Sequence, residues 1–356
     1  MRTLHLVDEP YDSGVVHYAL SAAKALSSRG HLSVIGALAG LPPARRAEVL
    51  GLRTYAYSRP WLDLGRLRGF LREERMDLIL AHTGSAHSLA VAATLAAPGG
   101  SCLVVRVRAG AQAPRRRPLA GLLWRRTAGF IAANRAILEQ ARPFLDPGKT
   151  PSAVIPPGVE DPGPPSPLPA GGPIIGILGR LDPVKGHEVF LHAATRILRR
   201  LPDASFLAAG REENVKIESL LRLAGELGIC ARVRFLGHVP DAAAFIRDCH
   251  LGVVASLGSE AVSRAAVEWL ACARPVIASR VGSLPEYLEG CEGARLVPPG
   301  DPEALAQAAF SMLEPGRLDS AAACARKLYE EKFSMDRFGL ETERFIEGLE
   351  RKGNSQ

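Results

Sequence analysis

The sequence has few of the features that mark zinc sites, disulfide frameworks or membrane spans. Its six cysteines are widely separated and none forms a C-x-x-C pair, which argues against structural zinc and a redox dithiol and predicts a reducing compartment. The opening MRTLHLVDEP reaches Asp8 and Glu9 before any signal-peptide core has formed. The most apolar stretch, 88–105, is broken by Pro-Gly-Gly and is too interrupted to cross a bilayer. We therefore expect a cytoplasmic protein.

The common nucleotide-binding motifs are also absent. Neither half of the chain contains G-x-G-x-x-G, and the nearest approach to a P-loop, GRLDPVKGH at 179–187, lacks the G-K-[ST] ending. These absences argue against a dinucleotide oxidoreductase and against an ATPase. No cluster of His, Asp or Glu has the spacing of a metal site, so we expect no metal and no cofactor.

The formal charge of +7 is distributed unevenly along the chain. Residues 1–160 carry 21 Lys and Arg against 11 Asp and Glu, whereas residues 161–356 carry 23 against 26. Nucleic acid is one partner for a basic half, but the chain has no zinc-finger spacing and no aromatic RNA-binding strand motif. A membrane surface or an anionic lipid-linked substrate fits the basic half better.

The length and the pattern of the chain predict two α/β domains. A chain of 356 residues exceeds the size at which a single hydrophobic core stops growing. Short β-rich runs alternate with helical patterns in both halves, which predicts parallel βαβ units and a ligand at the carboxyl ends of the strands. Segment 156–173, PPGVEDPGPPSPLPAGGP, predicts an interdomain linker. The predicted divisions are a first domain over 1–160, a linker over 161–172, a second domain over 173–333 and a final helix with its tail over 334–356.

Two cations occupy one predicted strand-to-helix loop in the second half. Arg180 directly follows Gly179 at the end of a predicted strand, and Lys185 precedes a predicted helix. Two positive charges and the first N–H groups of a helix suit a diphosphate. A solvated loop with ordinary surface charges explains the same spacing equally well.

Two glutamates flank the start of a later predicted helix. Glu260 precedes the helix and Glu268 lies in its second turn, so the pair suits sugar hydroxyls and a ribose diol. Backbone amides near Ala261 to Ser263 and the helix dipole suit phosphate charge. Two exposed glutamates are the alternative, although the apolar neighbours of Glu268 argue against its full exposure.

Several first-half residues are further candidates. His82 and His87 follow a predicted strand. We expect them either to border an acceptor site or to be hydrogen-bonded structural histidines. Arg106 and Arg108 lie at the end of another predicted strand. Two interpretations of Arg108 are open, a binding residue for an anionic group and a solvated loop cation. A basic, apolar segment suits a membrane headgroup region or a helix packed on its own domain. Its candidate membrane contacts are Arg115, Arg116, Arg117, Trp124, Arg125 and Arg126.

A family resemblance covers most of 174–310. The segments GRLDPVKG, AAGREE, VRFLGHV, SEAVSRAAVEWLACARPVIASRVGSLPEYL and LVPPGDPEALA occur there in order. SGVVHYALSAAKALSSRGH, DLILAHTGSAHSLA and IPPGVE extend the similarity more loosely into the first half. Together these segments resemble the family 4 (group 1) retaining glycosyltransferases.

The resemblance implies a GT-B fold, with two Rossmann-like domains facing a central cleft and a C-terminal helix crossing back to the first domain. It also implies that Arg180 and Lys185 clamp the donor diphosphate, that Glu260 positions the donor sugar and that Glu268 holds the ribose. The residues implied in donor binding are Gly14, Gly179, Gly210, Val239, Ala261, Val262, Ser263 and Glu268. Candidates for the acceptor side are His82, Arg106 and Arg108.

The chain departs from the family pattern at three places. Ser13-Gly14 stands where the family usually has two glycines, EAVS at 260–263 replaces the usual E-G/P-F-G, and Arg106 and Arg108 occupy the strand end where relatives place a histidine. The resemblance implies transfer of a sugar to a glycan or lipid-linked acceptor in cell-surface polysaccharide or lipopolysaccharide synthesis. A sugar-nucleotide epimerase and an inactive nucleotide-sugar binding partner are the alternatives.

Overall fold

The computed structural model describes residues 1–59, 61–95, 102–112, 120–258 and 260–353. The chain divides into two compact units, one formed by Met1–Gly158 with the C-terminal segment from Met335 and the other by Val159–Ser334. Each unit is built on a parallel sheet with helices in the crossover connections. The predicted α/β class with two Rossmann-like domains is thereby confirmed.

The first unit contains a seven-stranded parallel sheet in the order β3-β2-β1-β4-β5-β6-β7. Its strands are β1 (Arg2–Val7), β2 (Leu32–Leu38), β3 (Arg53–Tyr57), β4 (Leu78–Ala81), β5 (Leu103–Arg108), β6 (Gly129–Ala132) and β7 (Ser152–Val154). Strand order reverses between β1 and β4, which creates a switch point at the carboxyl ends of these two strands. Both strands are almost fully buried, as expected for a sheet covered by helices on both faces.

The helices of the first unit include the C-terminal helix of the chain. They are α1 (Gly14–Ser28), α2 (Pro42–Val49), α3 (Leu64–Glu73), α4 (Gly84–Thr94), α5 (Ala120–Arg125), α6 (Arg135–Ala141) and α14 (Met335–Gly353). Helix α14 packs on α1: the rings of Tyr18 and Phe338 meet edge to face at 5.0 Å, and Arg29 forms a 2.7 Å ion pair with Glu343. The predicted return of the last helix to the first domain is confirmed.

The second unit contains a six-stranded parallel sheet in the order β10-β9-β8-β11-β12-β13. Its strands are β8 (Ile174–Leu178), β9 (Ser205–Ala209), β10 (Val233–Gly237), β11 (Leu251–Val254), β12 (Val276–Ser279) and β13 (Ala294–Val297). Its helices are α7 (His187–Arg200), α8 (Ile217–Glu226), α9 (Ala242–Arg247), α10 (Arg264–Ala271), α11 (Leu284–Leu288), α12 (Pro302–Met312) and α13 (Arg317–Lys332). The switch point lies between β8 and β11, the two central strands.

The Pro/Gly-rich segment 161–172 has no helix or strand, as predicted, but three arginines bind it to the second unit. Arg274 is 1% exposed and donates to the carbonyls of Ser166 and Pro167 at 3.1 and 3.0 Å. Arg326 forms a 2.7 Å ion pair with Asp161, and Arg247 donates to the carbonyl of Pro162. Cationic donors therefore satisfy carbonyls that regular structure would otherwise pair.

Candidate functional site

The loops after the two central strands of the second sheet meet at its switch point. The loop after β8 contains a short 3-10 turn, Pro183–Lys185, and the Asp182 side chain accepts the N–H of Val184 at 3.0 Å. The N–H of Leu257, in the loop after β11, donates to the carbonyl of Val184 at 2.8 Å. This backbone contact brings the predicted cation loop and the predicted glutamate loop together.

Gly186 explains how closely these two loops approach. Its φ is +71°, and a Cβ there would lie 2.0 Å from the carbonyl oxygen of Ala255. Only glycine combines this left-handed conformation with such close backbone contact. The glycine therefore turns the chain into α7 directly after Lys185.

Lys185 and Glu260 form an ion pair across the two loops. Lys185 Nζ lies 2.5 Å from Glu260 Oε1, and the Ser256 hydroxyl donates to the same oxygen at 2.6 Å. Glu260 is 3% exposed, whereas the Lys185 side chain is 25% exposed. The N–H of Ser283 also donates to the Glu260 carbonyl at 2.7 Å. The carboxylate is therefore held in place, while the ammonium remains open to solvent on one side.

Arg180 lies on the same loop as Lys185 but pairs with a different carboxylate. Its Nη1 lies 3.3 Å from Glu213, which also forms an ion pair with Arg211 at a distance of 3.2 Å from Nε. The Arg180 side chain is 45% exposed. An exposed pair of this kind stabilises little, so an arriving anion can redirect the guanidinium at low cost.

Gly179 and Gly210 make a second close approach beside this loop. Gly210 has a φ of +157°, and a Cβ there would lie 1.8 Å from the Gly179 carbonyl oxygen. The Gly210 N–H donates to the Gly237 carbonyl at 2.7 Å. Val239 lies two residues beyond the end of β10. It packs against the hydrophobic core that contains Leu207 and Ala209 of β9. The glycines thus fix the backbone that presents Arg180.

Glu268 lies in α10, where it is paired and mostly covered. Arg264 Nε lies 2.7 Å from Glu268 Oε1, and the Glu268 side chain is 15% exposed, which confirms the prediction that it is not fully exposed. Ser263 precedes this helix and is 1% exposed, and its hydroxyl has no hydrogen-bond partner in the described part of the chain. Ala261 and Val262 are half-buried beside Glu260.

His187, the first residue of α7, is buried directly beside the cation loop. It is 3% exposed, and neither ring nitrogen has a hydrogen-bond partner within the described ranges. Burial, with a smaller contribution from the charge of Lys185, lowers the pKa of His187 to about 4. The ring is therefore neutral at pH 7. His238, by contrast, is exposed.

The first unit presents its own polar residues at the switch point between β1 and β4. Ser13 caps α1 by accepting the N–H of Val16 at 3.3 Å and donates to Glu9. Gly14 is exposed, and a Cβ there would meet no atom within 4 Å. The fold therefore leaves open space at Gly14. Thr83 of the loop after β4 donates to Asp8 of the loop after β1.

His82 and His87 are both buried and hydrogen-bonded. His82 is 2% exposed and its Nε2 lies 3.2 Å from Nδ1 of His5, with the two rings stacked at 5.5 Å. Burial, followed by the charges of His5 and Arg106, holds the pKa of His82 well below its usual range. His87 Nε2 lies 2.8 Å from the Thr127 hydroxyl. The structure thus places both rings in the core of the first unit.

Arg106 and Arg108 occupy the carboxyl end of β5, beneath the surface. Arg106 is 8% exposed and donates to the carbonyls of Ala81, at 2.7 Å, and Val107. Arg108 is 4% exposed and donates to the Gln112 carbonyl. Burial and then the charge of Arg108 lower the pKa of Arg106 to about 9.

The basic segment of the first unit is only partly described. Arg115, Arg116 and Arg117 lie outside the described residues. Trp124 packs within its own unit, with ring centroids 5.2, 5.9 and 5.7 Å from those of His87, Phe130 and Phe144. Arg125 and Arg126 are exposed, as is Leu122 at 53%.

Two further properties concern the described residues as a whole. Within these ranges, no three His, Cys, Asp or Glu side chains are grouped so as to hold a metal ion. No helix in the described part of the chain combines the length and apolarity needed to span a membrane.

Comparison with known proteins decides the family. The family model described as glycosyl transferases group 1 matches residues 172–315, and the one described as glycosyl transferase 4-like domain matches residues 13–158. The chain belongs to the group 1 glycosyltransferases. The resemblance of the sequence segments to this family is thereby confirmed.

Curated relatives match this group 1 glycosyltransferase over a limited region. The D-inositol 3-phosphate glycosyltransferase of Rhodococcus jostii is 34% identical over 170 residues, covering 46% of this chain and 37% of that protein. The phosphatidyl-myo-inositol mannosyltransferase of Mycobacterium leprae is 36% identical over 151 residues, covering 40% of this chain and 39% of that protein. The match thus spans less than half the length of either relative.

Solved structures share the fold over nearly the whole chain. A glycosyltransferase from Rickettsia africae aligns with a TM-score of 0.84 at 18% identity and covers 98% of both chains. The Anabaena protein HepE in complex with UDP aligns with a TM-score of 0.84 at 20% identity, covering 98% of this chain and 100% of the other. These alignments confirm the GT-B fold of this group 1 glycosyltransferase.

Two groups of residues at the site are not indicated by the sequence motifs. Ser256 shares the Glu260 carboxylate with Lys185, and the only signal for it is its position directly after β11, four residues before Glu260. Glu213 and Asn214 follow β9 and contact Arg180 and Asp182, with Asn214 Nδ2 lying 2.6 Å from Asp182. Their position after a strand that neighbours β8 could have drawn attention to them.

Proposed function

We propose that this chain transfers a sugar from a nucleoside diphosphate sugar to a glycan or lipid-linked acceptor, with retention at the anomeric carbon. The observation that carries the proposal is the Lys185–Glu260 pair at the switch point of the second sheet, with Arg180 on the same loop. Ligands of doubly wound α/β sheets bind at this point. Family membership and the UDP bound to HepE support a nucleotide-sugar as the donor.

The roles of the side chains follow from their charge and setting. Lys185 and Arg180 bind the diphosphate and stabilise the negative charge that develops as it leaves. Glu260 accepts hydroxyls of the donor sugar through Oε2, since Lys185 and Ser256 both contact Oε1, and Glu268 accepts the ribose hydroxyls. Gly14, with its open space, allows a phosphate to approach the start of α1.

The bond to be broken joins the anomeric carbon to the diphosphate oxygen. The acceptor hydroxyl oxygen attacks from the same face, and its proton passes to the departing diphosphate oxygen, so the configuration is retained without a protein nucleophile. Two cations beside the phosphates supply the charge that a metal ion supplies in other transferases. We therefore propose a reaction that is independent of metal and of any cofactor.

The pathway and location are part of the same proposal. The lipid-linked acceptor is supported by the phosphatidyl-myo-inositol mannosyltransferase among the relatives. We infer a role in cell-surface polysaccharide or lipopolysaccharide synthesis, in the cytoplasm at the inner face of the cytoplasmic membrane. Arg115–Arg117 supply the contact with anionic lipid, together with Arg125 and Arg126.

Nucleotide release from a panel of UDP-, GDP- and ADP-sugars tests the reaction. We expect one donor to be consumed only when a glycan or lipid-linked acceptor is added, and the rate to be the same with EDTA. Proton NMR of the product should show the anomeric configuration of the donor. Conversion of a donor without acceptor would instead indicate an epimerase. Donor binding without turnover on any acceptor would indicate an inactive binding partner, and an EDTA-sensitive rate would contradict metal independence.

Sedimentation with anionic liposomes tests the membrane contact. Replacing Arg115, Arg116 and Arg117 with alanine is expected to weaken a salt-sensitive association. The matched control replaces three exposed arginines elsewhere in the first unit, Arg53, Arg66 and Arg72. Equal loss in both variants would show that total charge, and not this segment, drives the association.

A further inference from the structure

Arg108 is a buried cation with an unused hydrogen-bond donor. It is 4% exposed, Nη2 donates to the Gln112 carbonyl, and Nη1 is buried with no hydrogen-bond partner among the described residues. Burial lowers the pKa of Arg108, and no carboxylate acts to raise it. A buried cation with an unpaired donor is costly to a fold, which points to an anion that binds there.

Arg106 adds a second positive charge next to Arg108. The two residues are two positions apart on β5, so their side chains leave the same face of the strand. Burial, followed by the charge of Arg108, lowers the pKa of Arg106, and Asp8 offsets part of this effect. Asp8 thus acts on the charge of Arg106, whereas no carboxylate in the described part of the chain shifts the pKa of Arg108.

The described residues directly after β5, 109–112, follow this pair at the carboxyl end of the strand. A Cβ at Gly110 would lie 3.4 Å from Cγ2 of Val15, in the first turn of α1, whose free N–H groups carry partial positive charge. Ala111 and Gln112 are exposed. The Gln112 carbonyl that a ligand would replace thus belongs to an exposed residue.

We propose that Arg108 binds a phosphate group of the acceptor, which replaces the Gln112 carbonyl as the partner of its guanidinium. The planar fork of Arg108 offers two parallel N–H donors to two phosphate oxygens, and Arg106 contributes positive potential without direct contact. This inference rests on the proposed function and names its acceptor class: a phosphorylated sugar or polyol, or a lipid joined through phosphate.

The test uses glycerol 3-phosphate as a probe in the presence of saturating UDP, with binding followed by phosphorus NMR. UDP occupies the donor diphosphate site, so the probe reports a separate phosphate site. Arg108→Gln is expected to weaken probe binding by about tenfold or more while leaving UDP affinity within about twofold. Arg108→Lys, which keeps the charge and loses the fork, is expected to weaken probe binding by about threefold to tenfold. Arg72→Gln, an exposed arginine of the same unit, is expected to change neither affinity.

Three results would overturn the proposal. If UDP displaces the probe, or if Arg108→Gln weakens UDP as strongly as the probe, Arg108 serves the donor diphosphate instead. If the wild-type chain does not bind the probe, no acceptor phosphate site exists here. UDP affinity is measured for each chain in a separate titration without the probe, and probe binding is measured with and without UDP, so failure of the proposed donor site is seen separately. If thermal unfolding shows that Arg108→Gln does not fold, the probe affinity of Arg108→Lys relative to the wild-type chain tests the proposal.

Discussion

Lys185 Nζ lies 2.5 Å from Glu260 Oε1, although the two residues follow different strands of the second sheet. The pair joins the loops after β8 and β11, and it neutralises a carboxylate that is 3% exposed. The cation proposed to bind phosphate is thus held by the carboxylate proposed to bind sugar. Donor binding then adds a second anion to a lysine that is already in position.

The ion pair is expected to stabilise the second unit. Lys185→Met leaves Glu260 buried with Ser256 as its remaining side-chain partner, which we expect to lower the free energy of unfolding by about 1 to 3 kcal/mol, less than for a fully buried pair because Lys185 is partly solvated. Glu260→Gln keeps the shape and removes the charge. A double-mutant cycle by urea denaturation should give a coupling energy of about 1 kcal/mol or more. Additive effects would show that the pair contributes nothing.

Gly210 is expected to tolerate no side chain. Gly210→Ala places a Cβ 1.8 Å from the Gly179 carbonyl oxygen, so the backbone that carries Arg180 must move. We expect a loss of stability of about 2 to 4 kcal/mol and a weaker affinity for nucleotide. Gly228→Ala is the control, because its φ is +69° but nothing lies within 4 Å of the added Cβ, and it should cost only about 1 kcal/mol. Equal losses in calorimetry would show that the contact with Gly179 is unimportant.

Arg274 is expected to hold the Pro/Gly-rich segment on the second unit. Among the described residues, the Arg274 guanidinium donates to six backbone carbonyls, all of which lose this donor in Arg274→Met. We expect a loss in the free energy of unfolding of about 2 kcal/mol, partly offset because a buried charge is also removed. Faster hydrogen exchange in 161–172 should accompany it. Arg280→Met is the control, because its side chain is 52% exposed and its ion pair with Glu289 is solvated. Unchanged exchange in Arg274→Met would contradict this role.

Buried neutral histidines are expected to make the fold sensitive to mild acid. Burial lowers the pKa of His5 and His87 to about 3 and that of His187 to about 4. Below about pH 6.5 the unfolded chain therefore binds more protons than the folded chain. The contribution of these histidines to the free energy of unfolding is fully present above that pH and is lost progressively as the pH falls toward 4. We expect each such histidine to lower the free energy of unfolding by about 1 kcal/mol when the pH falls from 7 to 5.5. In calorimetry, His187→Gln should show a smaller loss than the wild-type chain over this interval, and equal losses would contradict the burial effect.

Most of the sheet could be predicted from the sequence because its strands are short, buried and apolar. In the described part of the chain, β8 and β11 coincide with the apolar runs PIIGILG and LGVVAS, as expected for parallel strands covered on both faces. Strand β3, RTYAY, gives no such signal because its residues are mostly exposed or half-buried and two of them are polar. An edge strand of this kind lacks the continuous apolar signal.

The site was predicted only in part, because spacing locates a residue on a loop but not its partner. Arg180 and Lys185 do share one loop, yet Arg180 pairs with Glu213 after β9 while Lys185 pairs with Glu260 after β11. Contacts between distant segments depend on strand order, which the sequence pattern does not specify. The same limit applies to His82, whose partner His5 lies on the neighbouring strand β1.

The central claim is that the switch point of the second sheet binds a nucleoside diphosphate sugar through Lys185 and Arg180. The direct measurement is the affinity of intact UDP-, GDP- and ADP-sugars by calorimetry, repeated for the tightest of them on Lys185→Gln, Arg180→Gln and the control Lys216→Gln, an exposed lysine of the same unit. We predict that both site variants weaken binding by about tenfold or more, since each removes a charge-assisted contact with phosphate, while the control binds as the wild-type chain does. Equal affinities in all four proteins, or no binding of any nucleotide-sugar to the wild-type chain, would contradict the assignment.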